Sequence, residues 1–362
     1  MLDKPDQQEN DIHFSKLLQM LILTPRIRLT QTTMNSIDSA LDLIGNTPIL
    51  RLHNLTKGMN GAHLFLKLEY LNPSGSYKDR MALRIIEDAE RDGRLKAGST
   101  IIESSSGNTA IALAFVGALK GYKVKLFISE ASLTEEKKKI LTRYGAQFET
   151  TPSPMPLAQR DQARKAGLPG EMLEEPGRTL CKAAEEKDPS LWWARQFSNP
   201  SNLLAHADMA REILRQLNGK IDVFVSSIGT GGNFMGVSRI LKEFNPRTRC
   251  VAVEPTGWAG EEAVLSGWKT GAKQEIPGIT GGIQKQIIDE NIVDEIVQIG
   301  NEEAREMAYR LSREEGIFCG ISTGANVYVA LNEAKKLPAG KTVLTICVDR
   351  GDRYFSDERY TT

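Results

Sequence analysis

The chain has 362 residues, and its 46 lysine and arginine side chains balance 46 aspartate and glutamate side chains, so the formal net charge is zero. With 40 % hydrophobic and 25 % charged residues, the composition is typical of a folded globular protein of two or three domains or lobes. The balanced charge argues against electrostatic binding to nucleic acid or an anionic membrane, and no apolar run approaches the roughly 18 residues that span a bilayer.

The cysteines and histidines do not indicate a metal site. The four cysteines lie far apart and form no C-x-x-C pair, which argues against both a zinc site and a disulfide framework. The four histidines show no metal-ligand spacing either. We therefore predict a reduced, cytoplasmic protein that holds no metal.

The predicted elements follow a leader. Residues 1–38 begin with a polar stretch and continue irregularly, which predicts poor order. From Ile44 onward, short β-branched or aliphatic runs alternate with stretches of helical periodicity. The predicted strands are His63–Leu68, Thr100–Ser104, Lys123–Ser129, Val223–Ser227, Cys250–Glu254 and Thr342–Val348. The predicted helices are Asp79–Glu90, Thr109–Lys120, Phe234–Phe244, Glu302–Glu315 and Ala325–Lys336. Gly121 and Gly316 occupy positions typical of helix C-caps.

Alternation of strands and helices predicts parallel sheets with helices on their faces. The segment Thr151–Asp188 is rich in proline and charge and has weak periodicity, so we interpret it as a divider between two lobes. The predicted fold class is α/β, with two lobes that are each a mainly parallel, open twisted sheet flanked by helices.

Ligands of such folds bind where strands end and helices begin, because helix N-termini offer free N–H groups and a positive dipole end. The first such junction is the glycine-rich run Gly229–Asn233, directly after the predicted strand Val223–Ser227. Glycines allow a tight turn that aims several N–H groups at one anion, which predicts a phosphate site. The run also matches part of a dinucleotide fingerprint that includes Gly236 and Glu254, so an NAD(P)-binding oxidoreductase stays open as an alternative.

The second junction, Ser104–Thr109, places hydroxyl groups, a glycine and a carboxamide before a predicted helix, which is typical of a carboxylate cradle. The third, Asn72–Arg80, places Lys78 at a helix N-terminus, where the dipole disfavours a cation and an amine nucleophile is easier to deprotonate. The fourth, Gly320–Ala325, is by itself more typical of a capping serine than of a ligand contact.

Taken in this order, the four segments resemble the cysteine synthase / cystathionine β-synthase family of pyridoxal-phosphate enzymes of fold type II. The resemblance covers Leu41–Arg359 and includes the opening text Leu43–Pro48 and the closing text Asp349–Tyr354. It implies a tryptophan synthase β-like fold and pyridoxal 5'-phosphate as the cofactor. It also implies a small amino-acid substrate and a homodimer.

The resemblance implies a role for each matching residue. Lys78 would hold the cofactor as an internal aldimine and act as the acid and base at the substrate Cα. The expected cofactor-binding residues are Lys78, Asn108, Gly229, Thr230, Gly231, Gly232, Asn233 and Ser322. Among them, Asn108 would bond the ring hydroxyl oxygen and Ser322 would contact the pyridine nitrogen. The expected substrate-binding residues are Ser105, Ser106, Gly107, Thr109 and Gln196.

A neutral serine at the pyridine nitrogen makes the ring a weaker electron sink than an aspartate would. We therefore expect loss of a β-substituent to an aminoacrylate, on O-acetylserine, O-phosphoserine, serine or cysteine. Attack by a nucleophile would make the enzyme a cysteine synthase, and release would make it a cysteine desulfhydrase. A serine/threonine dehydratase of the same fold is a further alternative. The carboxylate loop of those enzymes resembles Ser-Gly-Asn-His, however, and this chain has Thr109 in place of the histidine.

Several positions depart from the family pattern. Because of these departures, the sequence does not identify the leaving group or the nucleophile. Tyr77 stands where valine is common, Asn233 where threonine is common and Ala110 where glycine is common. The segments Glu130–Thr134 and Pro277–Gly282 also differ from the usual substrate-facing text.

The lobes are expected to divide the site. We predict a smaller mobile lobe over residues 72–192, which carries the lysine and the carboxylate loop. Residues 39–71 together with 193–362 would form a larger lobe that carries the phosphate loop.

Overall fold

The computed structural model describes residues 36–129, 132–151, 170–256, 276–279, 289–357 and residue 360. The predicted leader lies almost wholly outside these residues, and so do Glu130, Ala131 and residues 280–282 of the segments noted above. The described residues from Ser39 onward belong to one compact unit.

Ten strands of the described residues form two sheets. The strands are β1 (Ile49–Arg51), β2 (His63–Leu68), β3 (Thr100–Ser104), β4 (Lys123–Ser129), β5 (Gln147–Thr151), β6 (Leu191–Trp193), β7 (Val223–Ser227), β8 (Arg249–Pro255), β9 (Glu295–Ile299) and β10 (Thr342–Cys347). One sheet has the order β1-β2-β10-β7-β8-β9, and the other has the order β5-β4-β3-β6. All neighbouring pairs are parallel except β1 with β2. The α/β fold class with mainly parallel sheets is therefore confirmed.

Helices connect these strands. They are α1 (Lys78–Arg91), α2 (Asn108–Lys120), α3 (Glu135–Arg143), α4 (Gly170–Lys187), α5 (Ser201–Gln216), α6 (Gly232–Phe244), α7 (Asn301–Glu314) and α8 (Ile321–Lys336). In α1 the apolar positions Met81, Ile85 and Ala89 recur every four residues and form its buried stripe. By contrast, α2 is buried on every side from Thr109 to Gly117, as expected of a wholly apolar helix within a core.

The two sheets have separate hydrophobic cores. One core packs α1 and α2 against the four-stranded sheet through residues such as Ile85, Ile111 and Leu126. Two other clusters surround the six-stranded sheet and include Val225 and Phe224, respectively. Because side chains of one core do not fill the other, each sheet is a packing unit in its own right.

Most predicted elements are confirmed. The first four predicted strands have the same bounds in the structure. The bounds of β8 and β10 differ from the predicted ones by one residue. Gly121 and Gly316 adopt the left-handed conformation expected of residues that end helices, with φ of 78° and 72°.

Two predictions were wrong in part. The helix predicted from Ala325 begins at Ile321, because Gly320 is its N-cap, so Ser322 lies in the first helical turn. The interval Thr151–Asp188 is more than a divider, since α4 fills its second half despite Pro176 in the helix interior. Cys181 of α4 packs against Ile102 and Phe127 of the four-stranded sheet, and this tertiary packing outweighs the weak periodicity of the segment.

Candidate active site

The lysine predicted as the nucleophile is the first residue of α1. Lys78 is 6 % exposed, and its Nζ donates a hydrogen bond to Thr230 Oγ1 at 3.3 Å. The same Nζ lies 4.9 Å from the centroid of the Tyr77 ring, within the range of a cation–π contact. The lysine segment and the glycine-rich segment, 152 residues apart in the chain, therefore meet at this amine.

The glycine-rich segment forms a close turn between β7 and α6. Gly231 has φ of 83°, a conformation that residues with a Cβ rarely adopt. A Cβ on Gly229 would lie 2.6 Å from the Gly278 carbonyl oxygen, and one on Gly232 would lie 2.1 Å from Asn202 Oδ1. The glycines are thus needed for space as well as conformation. The turn leaves the first N–H groups of the thirteen-residue helix α6 without a side-chain cap, which suits an anion.

Asn202 on α5 supports this turn from behind. Its Nδ2 donates to Thr230 Oγ1 at 3.1 Å and to the Gln196 carbonyl oxygen at 2.8 Å. The Thr230 hydroxyl is therefore held between Asn202 and Lys78. Asn202 Oδ1 is buried, has no hydrogen-bond partner among the described residues, and lies close to the backbone of Gly232.

The side chain of Asn233 is engaged beneath the turn. Its Oδ1 accepts a hydrogen bond from Ser226 Oγ at 3.0 Å, and its Nδ2 lies 3.4 Å from His206 Nδ1. The His206 ring packs against Tyr77, with the ring centroids 5.3 Å apart. Burial lowers the pKa of His206 well below its ordinary value, and the charges of Lys78 and Arg80 lower it further, so the imidazole is neutral.

The expected carboxylate loop connects β3 to α2. Ser105 and Ser106 are buried there, and Gly107 is the N-cap of α2 without a side-chain capping bond. Thr109 Oγ1 donates to Gln196 Oε1 at 2.5 Å, so these two expected substrate contacts form one unit. The first N–H groups of α2 and the serine hydroxyls together can bind a carboxylate.

Glu103 fixes Gln196 from inside the sheet. This carboxylate is fully buried and accepts hydrogen bonds from the Gln196 and Ser104 N–H groups and from Trp193 Nε1, at 2.8–2.9 Å. Burial raises the pKa of Glu103 even though these donors favour its charged form. Sequence reasoning missed Glu103, since a glutamate within a strand carries no signal for such a role.

Asn108 bonds to the closing segment, defined as residues 348–354. Its Nδ2 donates to Asp349 Oδ2 at 2.7 Å, and its Oδ1 accepts a hydrogen bond from Arg353 Nη1. Tyr354 donates to the same Asp349 Oδ2 at 2.7 Å. Burial raises the pKa of Asp349, against the opposing charge of Arg353.

Ser322 is 2 % exposed, and the residue after it, Thr323, accepts a hydrogen bond from the Val348 N–H of this segment at 2.9 Å. The N–H of Gly320, just before α8, donates to the Asp349 carbonyl oxygen at 3.1 Å. A Cβ on Gly320 would lie 2.2 Å from Asp349 Oδ1, so the carboxylate is pressed against the N-terminus of α8.

These residues fit a cofactor that carries an aldehyde and a phosphate. A buried lysine amine can form a Schiff base, and it lies one hydrogen bond from a glycine turn built for an anion. The structure joins Lys78 to Thr230 and Thr109 to Gln196, whereas the described contacts of the Asn233 side chain are with Ser226 and His206.

The part of the chain that the structure describes contains neither a candidate metal site nor a helix that could cross a membrane. No group of three or more histidine, cysteine, aspartate or glutamate side chains is placed to hold a metal ion. No helix in this part combines the length and the apolar character that a membrane crossing requires.

Comparison with known proteins gives a consistent result. The family model described as pyridoxal-phosphate dependent enzyme matches residues 40–349. A cysteine synthase of Staphylococcus aureus is 39 % identical over 328 residues, which cover 90 % of this chain and 97 % of that protein. The crystal structure of O-acetyl serine sulfhydrylase isoform 3 from Entamoeba histolytica superposes with a TM-score of 0.78 at 35 % identity and covers 94 % of both chains. An O-acetylserine dependent cystathionine beta-synthase from Helicobacter pylori has a TM-score of 0.78 at 32 % identity, over 90 % of this chain and 100 % of that one.

Proposed function

The chain belongs to the pyridoxal-phosphate dependent enzyme family, its cofactor is pyridoxal 5'-phosphate, and from this premise we propose that it catalyses β-replacement in the manner of a cysteine synthase. The substrate is a β-substituted L-amino acid such as O-acetylserine, O-phosphoserine, serine or cysteine, and the nucleophile is sulfide. Similarity to a cysteine synthase and to an O-acetyl serine sulfhydrylase over nine-tenths of the chain supports this choice. Membership of this family argues against an NAD(P)-binding oxidoreductase, because pyridoxal phosphate accounts for Lys78 as well as for the glycine turn.

The observation that carries the proposal is the hydrogen bond between Lys78 Nζ and Thr230 Oγ1. It places the amine beside the turn formed by Gly229, Thr230, Gly231 and Gly232, where the phosphate would be held by N–H groups at the start of α6. Asn233 would add its backbone N–H in the same helical turn. Asn108 would donate to the ring oxygen, and Ser322 would face the ring nitrogen as a neutral hydroxyl.

When bound, pyridoxal phosphate withdraws electrons from the substrate Cα, which makes the α-proton acidic and allows the β-substituent to leave. Lys78 Nζ is the group that removes this proton. The Tyr77 ring below it and the Thr230 hydroxyl beside it hold the amine in place. Burial of Lys78 keeps bulk water away from the reacting carbon.

The substrate carboxylate would bind to Ser105, Ser106, Gly107 and Thr109, with Gln196 at the side. Two linked observations support this assignment. The hydroxyl of Thr109 is already oriented by Gln196, and Gln196 is oriented by the buried Glu103. A carboxylate bound at these groups orients the Cα–H bond relative to the cofactor plane.

The visible absorption spectrum of the purified protein tests this proposal. With pyridoxal phosphate supplied, we expect a band from the lysine-bound cofactor that shifts on addition of O-acetylserine and returns when sulfide is added. Lys78→Ala should lose the band, whereas Lys96→Ala, at an exposed lysine, should keep it. Pyruvate formed without sulfide would instead indicate a desulfhydrase or dehydratase, and absence of any band would refute the assignment of Lys78.

We further propose that the enzyme is a cytoplasmic homodimer. All four cysteines are free and buried, which suits a reducing compartment. The homodimer rests on the family resemblance, and light scattering of the purified protein measures the mass that tests it.

A further inference from the structure

Both ends of the Asn108 carboxamide are fixed by groups of opposite charge. The NH₂ end donates to the Asp349 carboxylate at 2.7 Å, and the oxygen end accepts from the Arg353 guanidinium. Asp349 is 0 % exposed and Arg353 is 3 % exposed, so the charged partner in each bond is shielded from bulk water.

This arrangement permits only one orientation of the carboxamide. A flip of the amide would place its oxygen against the Asp349 carboxylate and its NH₂ group against the guanidinium of Arg353. Both contacts would be repulsive, and both charged groups would lose a hydrogen bond in a buried site. The Nδ2 atom carries two hydrogens, of which Asp349 engages one.

We propose that Asp349 is a positioning residue that keeps the second N–H of Asn108 available as a donor to the cofactor. The inference rests on the proposed function, because it takes Asn108 as the donor to the cofactor's ring oxygen. Asp349 acts through Asn108 and need not touch the cofactor itself.

The closing segment also binds the lysine loop, defined as residues 74–77. The Tyr77 N–H donates to the Val348 carbonyl oxygen at 3.1 Å, and the Arg350 N–H donates to that of Gly75 at 3.2 Å. Arg353 reaches the Ser74 carbonyl oxygen with its other Nη atom. The closing segment therefore aligns Asn108 with the loop that precedes Lys78, and Asp349 is the residue of this segment that contacts Asn108 Nδ2.

The test compares Asp349→Ala with Asp352→Ala, which removes an exposed carboxylate from the same segment. In Asp349→Ala we expect the absorption spectrum of the bound cofactor to change in the same direction as in Asn108→Ala. We also expect the cofactor dissociation constant to rise by about 10–150-fold, the loss typical of one hydrogen bond to a charged group. Asp352→Ala should match the wild type in both measurements.

A double-mutant cycle separates positioning from direct contact. In Asn108→Ala, the further change Asp349→Ala should leave the spectrum unaltered, because the residue through which Asp349 acts is already absent. A spectrum that shifts further in the double variant, or a single variant identical to the wild type, would overturn the inference while the proposed function stands. If Asp349→Ala does not fold, Tyr354→Phe removes one donor to the same carboxylate and should shift the spectrum in the same direction by a smaller amount.

Discussion

His206 is a neutral imidazole enclosed between the Tyr77 ring and Asn233. Its pKa lies well below 6.5 in the folded protein, mainly because burial disfavours the charged form. In the unfolded chain the same group takes up a proton near pH 6.5. The unfolded state therefore binds more protons as the pH falls, and the folding stability that depends on a neutral His206 is lost below that pH.

We predict that His206→Gln flattens the pH dependence of the free energy of unfolding below pH 6.5. The wild type should lose up to about 1.4 kcal/mol per pH unit through this one proton, and the variant should not. Urea unfolding between pH 7 and pH 5 measures the difference. His53→Gln, at an exposed histidine, should retain the wild-type slope, and equal slopes in all three proteins would contradict the prediction.

The sequence predicts the functional role of residues with distinctive chemistry, but it does not predict which other residues hold them in position. Lys78 and the glycine turn are recognisable because a lysine and several glycines at strand–helix junctions are unusual. Asn202 and Glu103 lie within regular elements, and their polar atoms acquire a role only when distant segments pack together. The closing segment was recognised by its resemblance, yet the pairing of Asp349 with Asn108 spans 241 residues and could not be derived from spacing.

Helices α1 and α5 are joined by a buried ionic network. Arg80 of α1 bonds Glu69 on one side and Glu212 of α5 on the other, each at 2.7–2.9 Å. Lys67 also donates to Glu212, at 3.0 Å. Burial alone would raise the pKa of Glu212, but the hydrogen bonds and charge of Arg80 lower it to about 2. The network thus fixes the helix that begins with Lys78 to the helix that carries Asn202.

We predict that Arg80→Ala lowers the free energy of unfolding by about 3–5 kcal/mol, because it leaves buried carboxylates without their main partner. Arg310→Ala is the matched control, since it removes an i,i+4 ion pair whose side chains are 35 % and 36 % exposed. That loss should cost at most about 1 kcal/mol. Urea unfolding measures both changes, and equal effects would show that burial of the network contributes little.

Elements with strong periodicity or long aliphatic runs were predictable, and those defined by tertiary contacts were not. The strands β1 and β6 have three residues each, too few for any alternation to be read. Helix α4 contains an internal proline, which favours a break when the sequence is considered alone. Helix α8 begins four residues early because Gly320, Ser322 and Thr323 give no apolar signal. Ser322 and Thr323 are nevertheless only 2 % and 0 % exposed, so this start of the helix is buried although its side chains are polar.

The residues that the structure describes form two packing units, and the contacts between these units at the site are largely polar. Side chains of the four-stranded sheet's core do not enter the cores of the six-stranded sheet. The buried Arg80–Glu212 ion pair fixes α1 to α5, and the other links at the site include the ring contact of Tyr77 with His206 and the hydrogen bonds of Lys78 with Thr230 and of Asn108 with Asp349. Polar contacts can exchange partners at lower cost than an interlocked core can shift. We propose that residues 72–192 form one lobe and that residues 39–71 together with 193–362 form the other. A consequence of this division is that the two lobes can move relative to each other.

We predict that the amino-acid substrate closes the smaller lobe over the cofactor. The expected carboxylate loop lies at the end of β3, in the four-stranded sheet, whereas the glycine turn expected to bind the phosphate follows β7, in the six-stranded sheet. A substrate bound to both the loop and the cofactor gains contacts only when these ends approach, so its binding energy favours the closed form. The distance between the two lobes should change by more than about 2 Å, as in other loop and domain rearrangements.

Spin labels on Glu149→Cys and Glu243→Cys measure this movement, because both positions are exposed and lie in different predicted lobes. The native cysteines are buried, so labelling is confined to the introduced pair. A control pair, Lys57→Cys with Glu243→Cys, lies within the larger lobe and should keep its distance when O-acetylserine is added to the holoenzyme. If the absorption band shifts with substrate while the first pair stays at its original distance, the substrate binds without closure. The two sheets then act as one rigid body, and access to Lys78 is governed by local loop movement.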